Sequence, residues 1–262
     1  MFPELVRLGD IAIHSYGFFI AIGTYLSFLF FSKQLKKNLE IPEEEVVTLF
    51  IWLIGAVVVG GKVFFYLEDL NFYVQNPSKI LSHFGNGFVF FGSLIFAIPT
   101  MLIYFKYKKW PTWQLLDYMA ITACIVHSFG RIGCFMAGCC YGIPTSRPWG
   151  VIYSNPICAA DPLGVPLHPT QLYEVLMIGT IGIILFLFRK YKQFNGQWFF
   201  IYLIAYSIGR SLIEEYRGDE ARGFLFDGSI SHSQFISVIL VLIALLGYYM
   251  RFTKKESDLI DK

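Results

Sequence analysis

The apolar residues of the chain fall into long unbroken runs separated by short polar segments. Seven runs predict helices at about 15–33, 46–67, 87–105, 113–136, 168–188, 197–213 and 233–251, each near the roughly 20 residues needed to cross a bilayer. The runs are continuous rather than alternating and are too long for barrel strands. Inside lipid a helix satisfies its own backbone hydrogen bonds. The pattern therefore predicts an all-α polytopic membrane protein with seven transmembrane helices, forming one integral-membrane domain over residues 1–262.

Composition agrees. The 262 residues are 55% hydrophobic and only 15% charged, which excludes an ordinary water-soluble domain. No cleavable signal peptide is expected, because Glu4 and Asp10 oppose Arg7 in the first ten residues and no small-residue cleavage site follows the first run. The net charge of +2 says less than its distribution. One set of connections carries Lys33, Lys36, Lys37, Lys106, Lys108, Lys109, Arg189, Lys190, Lys192, Arg251, Lys254, Lys255 and Lys262. The other carries Arg7, Lys79, Arg147, Arg217 and Arg222. Basic loops stay cytoplasmic, so the N-terminus is predicted outside and the C-terminus inside. There is no nucleotide-binding glycine loop, internal repeat or low-complexity segment, and no nucleic-acid partner is expected.

The unusual chemistry gathers in His127-Ser-Phe-Gly-Arg-Ile-Gly-Cys-Phe-Met-Ala-Gly-Cys-Cys-Tyr-Gly142, at the outer end of the fourth run. An arginine at a helix centre costs about 2.5–3.5 kcal/mol on insertion scales, less near the interface. Arg131 thus needs a partner or a ligand. Gly130, Gly133, Gly138 and Gly142 leave room beside it for another molecule. His168-Pro-Thr-Gln-Leu-Tyr-Glu174 opens the fifth run, and Glu174 is a candidate partner for an arginine. In the sixth run Tyr202, Tyr206, Arg210, Glu214 and Arg217 share one slowly turning face. There an Arg210–Glu214 ion pair and an arginine aimed at an anion are compatible readings. Gly60-Gly61-Lys62 suggests close helix approach, and the aromatic, polar segment 68–87 an amphipathic piece on the membrane surface. Cys139, Cys140 and Cys158 lie on an outer segment where disulfides are permitted. Cys158 is expected to pair with Cys139 or Cys140. The alternative is a metal site of these cysteines with Cys134, His127 or His168, and the absence of a CxxC pair and of any standard zinc-module spacing argues against it. No metal and no cofactor are expected.

Arginine suits phosphate through its fork of donors, and in a membrane the phosphate belongs mainly to phospholipid headgroups. The sequence here resembles bacterial prolipoprotein diacylglyceryl transferases over nearly its whole length. The resemblance rests on His14-Ser-Tyr16-Gly17, Gly60-Gly61-Lys62, Gly130-Arg131-Ile-Gly133 through Gly142, His168 through Glu174, and Gly209-Arg210 through Glu214 with Arg217 and Asp219. It implies a multi-pass enzyme of the bacterial plasma (inner) membrane with its active site toward the outer face. It implies transfer of diacylglycerol from phosphatidylglycerol to the lipobox cysteine thiol of a prolipoprotein signal peptide, releasing glycerol phosphate, with membrane lipids as surroundings.

By the same resemblance Arg131 is the lipid-phosphate arginine, Arg210 with Glu214 the second essential arginine, and Tyr16 a site residue; Tyr16, His168 and Glu174 are catalytic candidates by their chemistry alone. Arg131, Gly142, Arg210 and Tyr173 are expected to bind substrate. Phe91 stands where many members have a histidine, Cys134 replaces a usual asparagine and Cys139 a usual glutamate, which leaves the general base open. Two other classes stay open: a non-catalytic phospholipid-binding homologue, and a membrane thiol oxidoreductase using Cys139 and Cys140.

Overall fold

A computed structural model describes residues 1–9, 11–85, 87–218, 223–225 and 229–260. Most of the charged connection expected over Asp219–Asp227, with Asp219, Arg222 and Asp227, lies outside these described residues. Among them the chain forms nine helices and three two-stranded antiparallel hairpins. Six helices are long and apolar enough to cross a membrane: α1 (Ser15–Leu39), α2 (Glu43–Glu68), α5 (Phe90–Tyr107), α6 (Thr112–Ala137), α7 (Thr170–Phe188) and α9 (His232–Ile260). The seventh expected run is a helix, α8 (Gln197–Glu214). With Gln197, Arg210 and Glu214 it is too polar to qualify by composition.

The expectation of helices alone needs correcting. A hairpin precedes α1, pairing β1 (Glu4–Leu8) with β2 (Ile11–His14). Its tight turn uses Gly9 at φ 61°, a conformation glycine adopts without steric cost. Two shorter hairpins, β3 (Val151–Ile152) with β4 (Pro166–Leu167) and β5 (Phe224–Leu225) with β6 (Ile230–Ser231), tie down connections. All three lie in polar boundary segments, where lengths of two to five residues carry no periodic signal.

The chain divides into two compact units. Residues 32–112 form one. In it α2 and α5 cross where Gly60 and Gly92 face each other, and a Cβ on either would strike the other's carbonyl oxygen. Ser93 Oγ donates to Val57 O across the same crossing, at 2.9 Å. In lipid an apolar helix face gains nothing by leaving solvent, so such close backbone approach is what holds helices together. The surface piece expected after α2 is two short helices, α3 (Leu70–Gln75) and α4 (Ser78–Ser82). They fold around buried Tyr73, whose hydroxyl lies 3.2 Å from His83 Nδ1.

Residues 1–31 and 113–262 form the other unit. Its core joins Ala120, Ile121 and Cys124 of α6 to Ile178 and Leu185 of α7, with Tyr202 and Tyr206 of α8 against them. Gly182 brings α7 onto α6, since a Cβ there would sit 2.9 Å from Cys124 Cβ. At the opposite end of α6, Asp117 is 3% exposed. Its carboxylate accepts from the backbone N–H groups of Gly196, Trp198 and Phe199 at 3.0, 2.9 and 3.2 Å, and from Lys192 Nζ at 2.9 Å. The first turn of α8 has unpaired donors and a positive dipole end. A carboxylate from a neighbouring helix supplies the acceptor that its own N-cap, Gly196, lacks.

Candidate active site

Helix α6 ends in a turn that sets up everything beyond it. Gly138 has φ 79°, and its N–H returns to Cys134 O at 2.9 Å, a left-handed helix stop. A side chain there would also meet Cys158 Cβ at 2.9 Å and Tyr153 Cδ1 at 3.2 Å. The turn folds Cys139 back over the helix end, with its Sγ 3.8 Å from Cys134 O. Cys140 follows, itself at φ 59°. Two polar side chains from the first turn of α7 then grip the carbonyls. Thr170 Oγ1 donates to Cys140 O at 2.7 Å and Gln171 Nε2 to Cys139 O at 2.6 Å. Both residues are fully buried.

The next residues are zipped on both sides. Gly142 N donates to His168 O at 2.9 Å and His168 N to Ile143 O at 3.0 Å. Across the other edge Ile143 N donates to Tyr216 O at 2.9 Å and Gly218 N to Tyr141 O at 3.0 Å, with Gly142 bridged to Arg217. One short segment thereby fastens the start of α7 to the end of α8.

The charged side chains of three helices meet beneath this strip. Glu174 of α7 is 1% exposed and faces two guanidinium groups. Arg131 Nε lies 2.8 Å from its Oε2 and Arg210 Nε 4.0 Å from its Oε1. The Arg131 Nε–H is aimed at His127 Nε2 at 3.4 Å, so Glu174 Oε2 is held by charge rather than by an aligned hydrogen bond. Accepting through Nε2 makes His127 the neutral, Nδ1-protonated tautomer. Arg210 Nη1 also donates to Glu214 Oε2, one helical turn on. Arg217 is buried nearby on the bridge to Gly142. Among the described residues, neither Nη group of Arg131 donates a hydrogen bond, and its side chain is 15% exposed.

A second, outer group surrounds His168. Trp149 Nε1 donates to Tyr173 Oη at 2.8 Å. An indole can only donate, so the tyrosine proton is free for His168 Nδ1, also 2.8 Å away. Burial first, and then the positive charge of Arg147, hold His168 below its ordinary imidazole value. The structure thus brings Arg131, Glu174, Arg210 and Glu214 together and sets His168, Tyr173 and Gly142 on the strip above them. Tyr16, in the first turn of α1, packs on Gly133, where a Cβ would lie 3.1 Å from Tyr16 Cα. Phe91 is exposed in the first turn of α5.

Sequence reasoning gave His127 no part in holding Arg131, although the two lie one helical turn apart. It also missed the grip of Thr170 and Gln171 on the cysteine carbonyls, because those partners are some thirty residues apart.

The expected disulfide is absent: all five cysteines are free thiols. Cys158 is buried in an apolar cluster with Tyr153, Ala160 and Leu167, whereas Cys139 and Cys140 turn the other way, toward Cys134. The sulfurs of Cys134, Cys139 and Cys140 all lie within 4.8 Å of one another, and neither His127 nor His168 joins them. The neighbouring Cys134 and Cys139 thiols, and then the charges of Arg131 and Arg217, draw the Cys140 thiol below its ordinary range against the opposing effect of burial.

Helices long and apolar enough to cross a bilayer, packed around buried guanidinium and carboxylate groups, define a multi-pass membrane protein. The family description "Prolipoprotein diacylglyceryl transferase" matches residues 3–250, and the chain belongs to that family. It is 34% identical over 256 residues to a phosphatidylglycerol–prolipoprotein diacylglyceryl transferase of Clostridium tetani, covering 97% of this chain and 100% of the relative. A second such transferase, from Clostridium perfringens, is 33% identical over 260 residues, covering 98% and 99%. One from Clostridioides difficile is 31% identical over 255 residues, covering 97% of each chain.

Proposed function

We propose that the protein transfers the diacylglyceryl group of phosphatidylglycerol to the lipobox cysteine thiol of prolipoproteins at the outer face of the bacterial plasma membrane. Family membership and the names of full-length relatives support the reaction class. The observation that carries the reading to residues is the state of Arg131. Its Nε is fixed by Glu174 and His127, while among the described residues neither Nη donates a hydrogen bond to the protein. That arrangement presents a fork of donors to a phosphate.

In the reaction the thiolate sulfur bonds to the glycerol carbon and the carbon–oxygen bond to phosphate breaks. The phosphodiester monoanion leaves as glycerol phosphate, a dianion. Arg131 and Arg210 stand where that growing charge is stabilised without rearrangement. Glu174 and Glu214 hold the two guanidiniums in place, so their role is positioning. Tyr16, Gly142, His168 and Tyr173 form the wall above, against which the headgroup and peptide rest. An apolar groove of about 400 Å³ between α1, α6 and α7, lined by Phe30, Ile121, Phe129, Gly179 and Ile183, suits an acyl chain. Counting α8 with the six more apolar helices gives seven spans. With the basic loops cytoplasmic, the N-terminus and the site face outward.

The test incubates purified protein with phosphatidylglycerol and a lipobox peptide, and weighs the peptide. A diacylglyceryl adduct that disappears with Arg131→Ala is expected. No adduct from wild type, with lipid binding intact, would make the protein a lipid-binding homologue instead.

A further inference from the structure

The three clustered thiols have no part in the phosphate chemistry above. The stop at Gly138 and the left-handed Cys140 bring residues 134, 139 and 140 to one point. The buried Thr170 and Gln171 hold the backbone there. An ion with sulfur ligands at about 2.3 Å separates them by roughly 3.8 Å in a tetrahedron. The observed separations, all within 4.8 Å, exceed that value by about 1 Å at most. Thiolates are soft ligands and select zinc-like ions over magnesium or calcium. No fourth cysteine, histidine or carboxylate joins the group among the described residues. Three protein ligands with an open position is the arrangement of a zinc site that binds substrate.

We infer that Cys134, Cys139 and Cys140 form a site for a zinc-class divalent cation, whose open position takes the thiol of the substrate cysteine. This rests on the transferase reading. A thiol bound to such an ion is deprotonated outright, which supplies a nucleophile without a basic side chain. The balance is simple. The peptide R–SH binds the ion and gives one proton to solvent. The resulting thiolate attacks the glycerol carbon, the phosphate leaves with the carbon–oxygen electron pair, and the neutral thioether releases the ion. Placement agrees, because Cys134 lies three residues beyond Arg131 on α6 and so shares its face. Tyr16 packs on Gly133, the residue before Cys134. Nucleophile and phosphate clamp would then stand on one helix wall.

The test begins with protein stripped by a chelator and titrated with cobalt(II). One cobalt per chain, with sulfur-to-metal charge-transfer absorption, is expected. Cys139→Ser and Cys140→Ser should each weaken that absorption, and Cys158→Ser should leave it unchanged. Lipobox peptide should shift the spectrum, and a peptide with alanine for cysteine should not. At pH 7 an unassisted thiol of pKa about 8.5 is roughly 3% ionised, so stripping should slow adduct formation by about 30-fold and zinc should restore it. These last measurements use the wild-type chain, so a misfolded variant cannot decide them. Full adduct formation by metal-free protein would overturn the inference while leaving the transferase intact. Cobalt absorption that the peptide does not shift would also overturn it. Cobalt binding without any adduct, stripped or zinc-loaded, would instead sink the transferase reading.

Discussion

Gly142 gives the sharpest test of how tightly the strip above the charged cluster is set. A Cβ at this position would lie 2.5 Å from His168 Cβ, 2.6 Å from His168 O and 2.6 Å from Tyr216 O. Ordinary contact begins near 3.4 Å, so the strip must open by about 0.8 Å. Two of the three obstacles are backbone carbonyls, so no side-chain rotation relieves them. Gly142→Ala should therefore push the start of α7, which carries Glu174, away from the end of α8, which carries Arg210. A displacement near 1 Å costs on the order of 100-fold in rate, or about 2.7 kcal/mol of transition-state stabilisation. Overpacking should cost about 1–3 kcal/mol of stability as well. The assay is initial-rate adduct formation, read beside a thermal melt in the same detergent. A rate loss near 100-fold with a modest fall in Tm is expected. Wild-type rate and Tm would refute the reasoning, because they would mean the two zipped edges are looser than the contacts require.

Other outcomes follow from the same geometry. Asp117→Ala removes a buried carboxylate from three backbone donors and Lys192, and should cost about 3–5 kcal/mol. A thermal melt unchanged from wild type would contradict that. Arg210→Lys keeps the charge but loses the fork that reaches both Glu214 and Glu174. It should lower kcat at least about tenfold, and an unchanged kcat would remove Arg210 from the transition state. His168 has a depressed folded value, so the unfolded chain takes up its proton first as pH falls. Its contribution to stability is complete above about pH 6.5 and is lost on acidification through the folded value. Melts between about pH 7.5 and 5 should fall less for Arg147→Gln than for wild type, since Arg147 is part of the depression. Equal falls would point to another titrating group.

The long helices were legible because the bilayer enforces length and apolarity together: five of the seven predicted runs match a helix within three residues at both ends, while the first and last helices continue six and nine residues past the apolar run into charged sequence. Arg131, Glu174 and Arg210 were legible for the converse reason, since a charge in an apolar run is expensive and stands out. By that logic Asp117 should have stood out too. It lies inside the fourth run, but its partners are 75 to 82 residues away and nothing local marks it as a cap. The hairpins were too short to show a period. The cysteines were misread because their place on an expected outer segment invited a bridge between Cys158 and the vicinal pair. A left-handed turn at Gly138 decides otherwise by aiming the pair back at Cys134.

The sharing of Glu174 has a consequence for how the chain is made. Arg210 emerges with its own carboxylate, Glu214, four residues behind it. Arg131 emerges with none, because its counter-charge lies forty-three positions later. At translation rates of roughly 5–20 residues per second, that gap lasts about 2–9 s. Throughout it α6 carries an unneutralised guanidinium costing up to about 3 kcal/mol at full depth. The fourth helix therefore settles into the bilayer only when the fifth arrives, and the two enter as a hairpin whose closing contact is the Arg131–Glu174 pair.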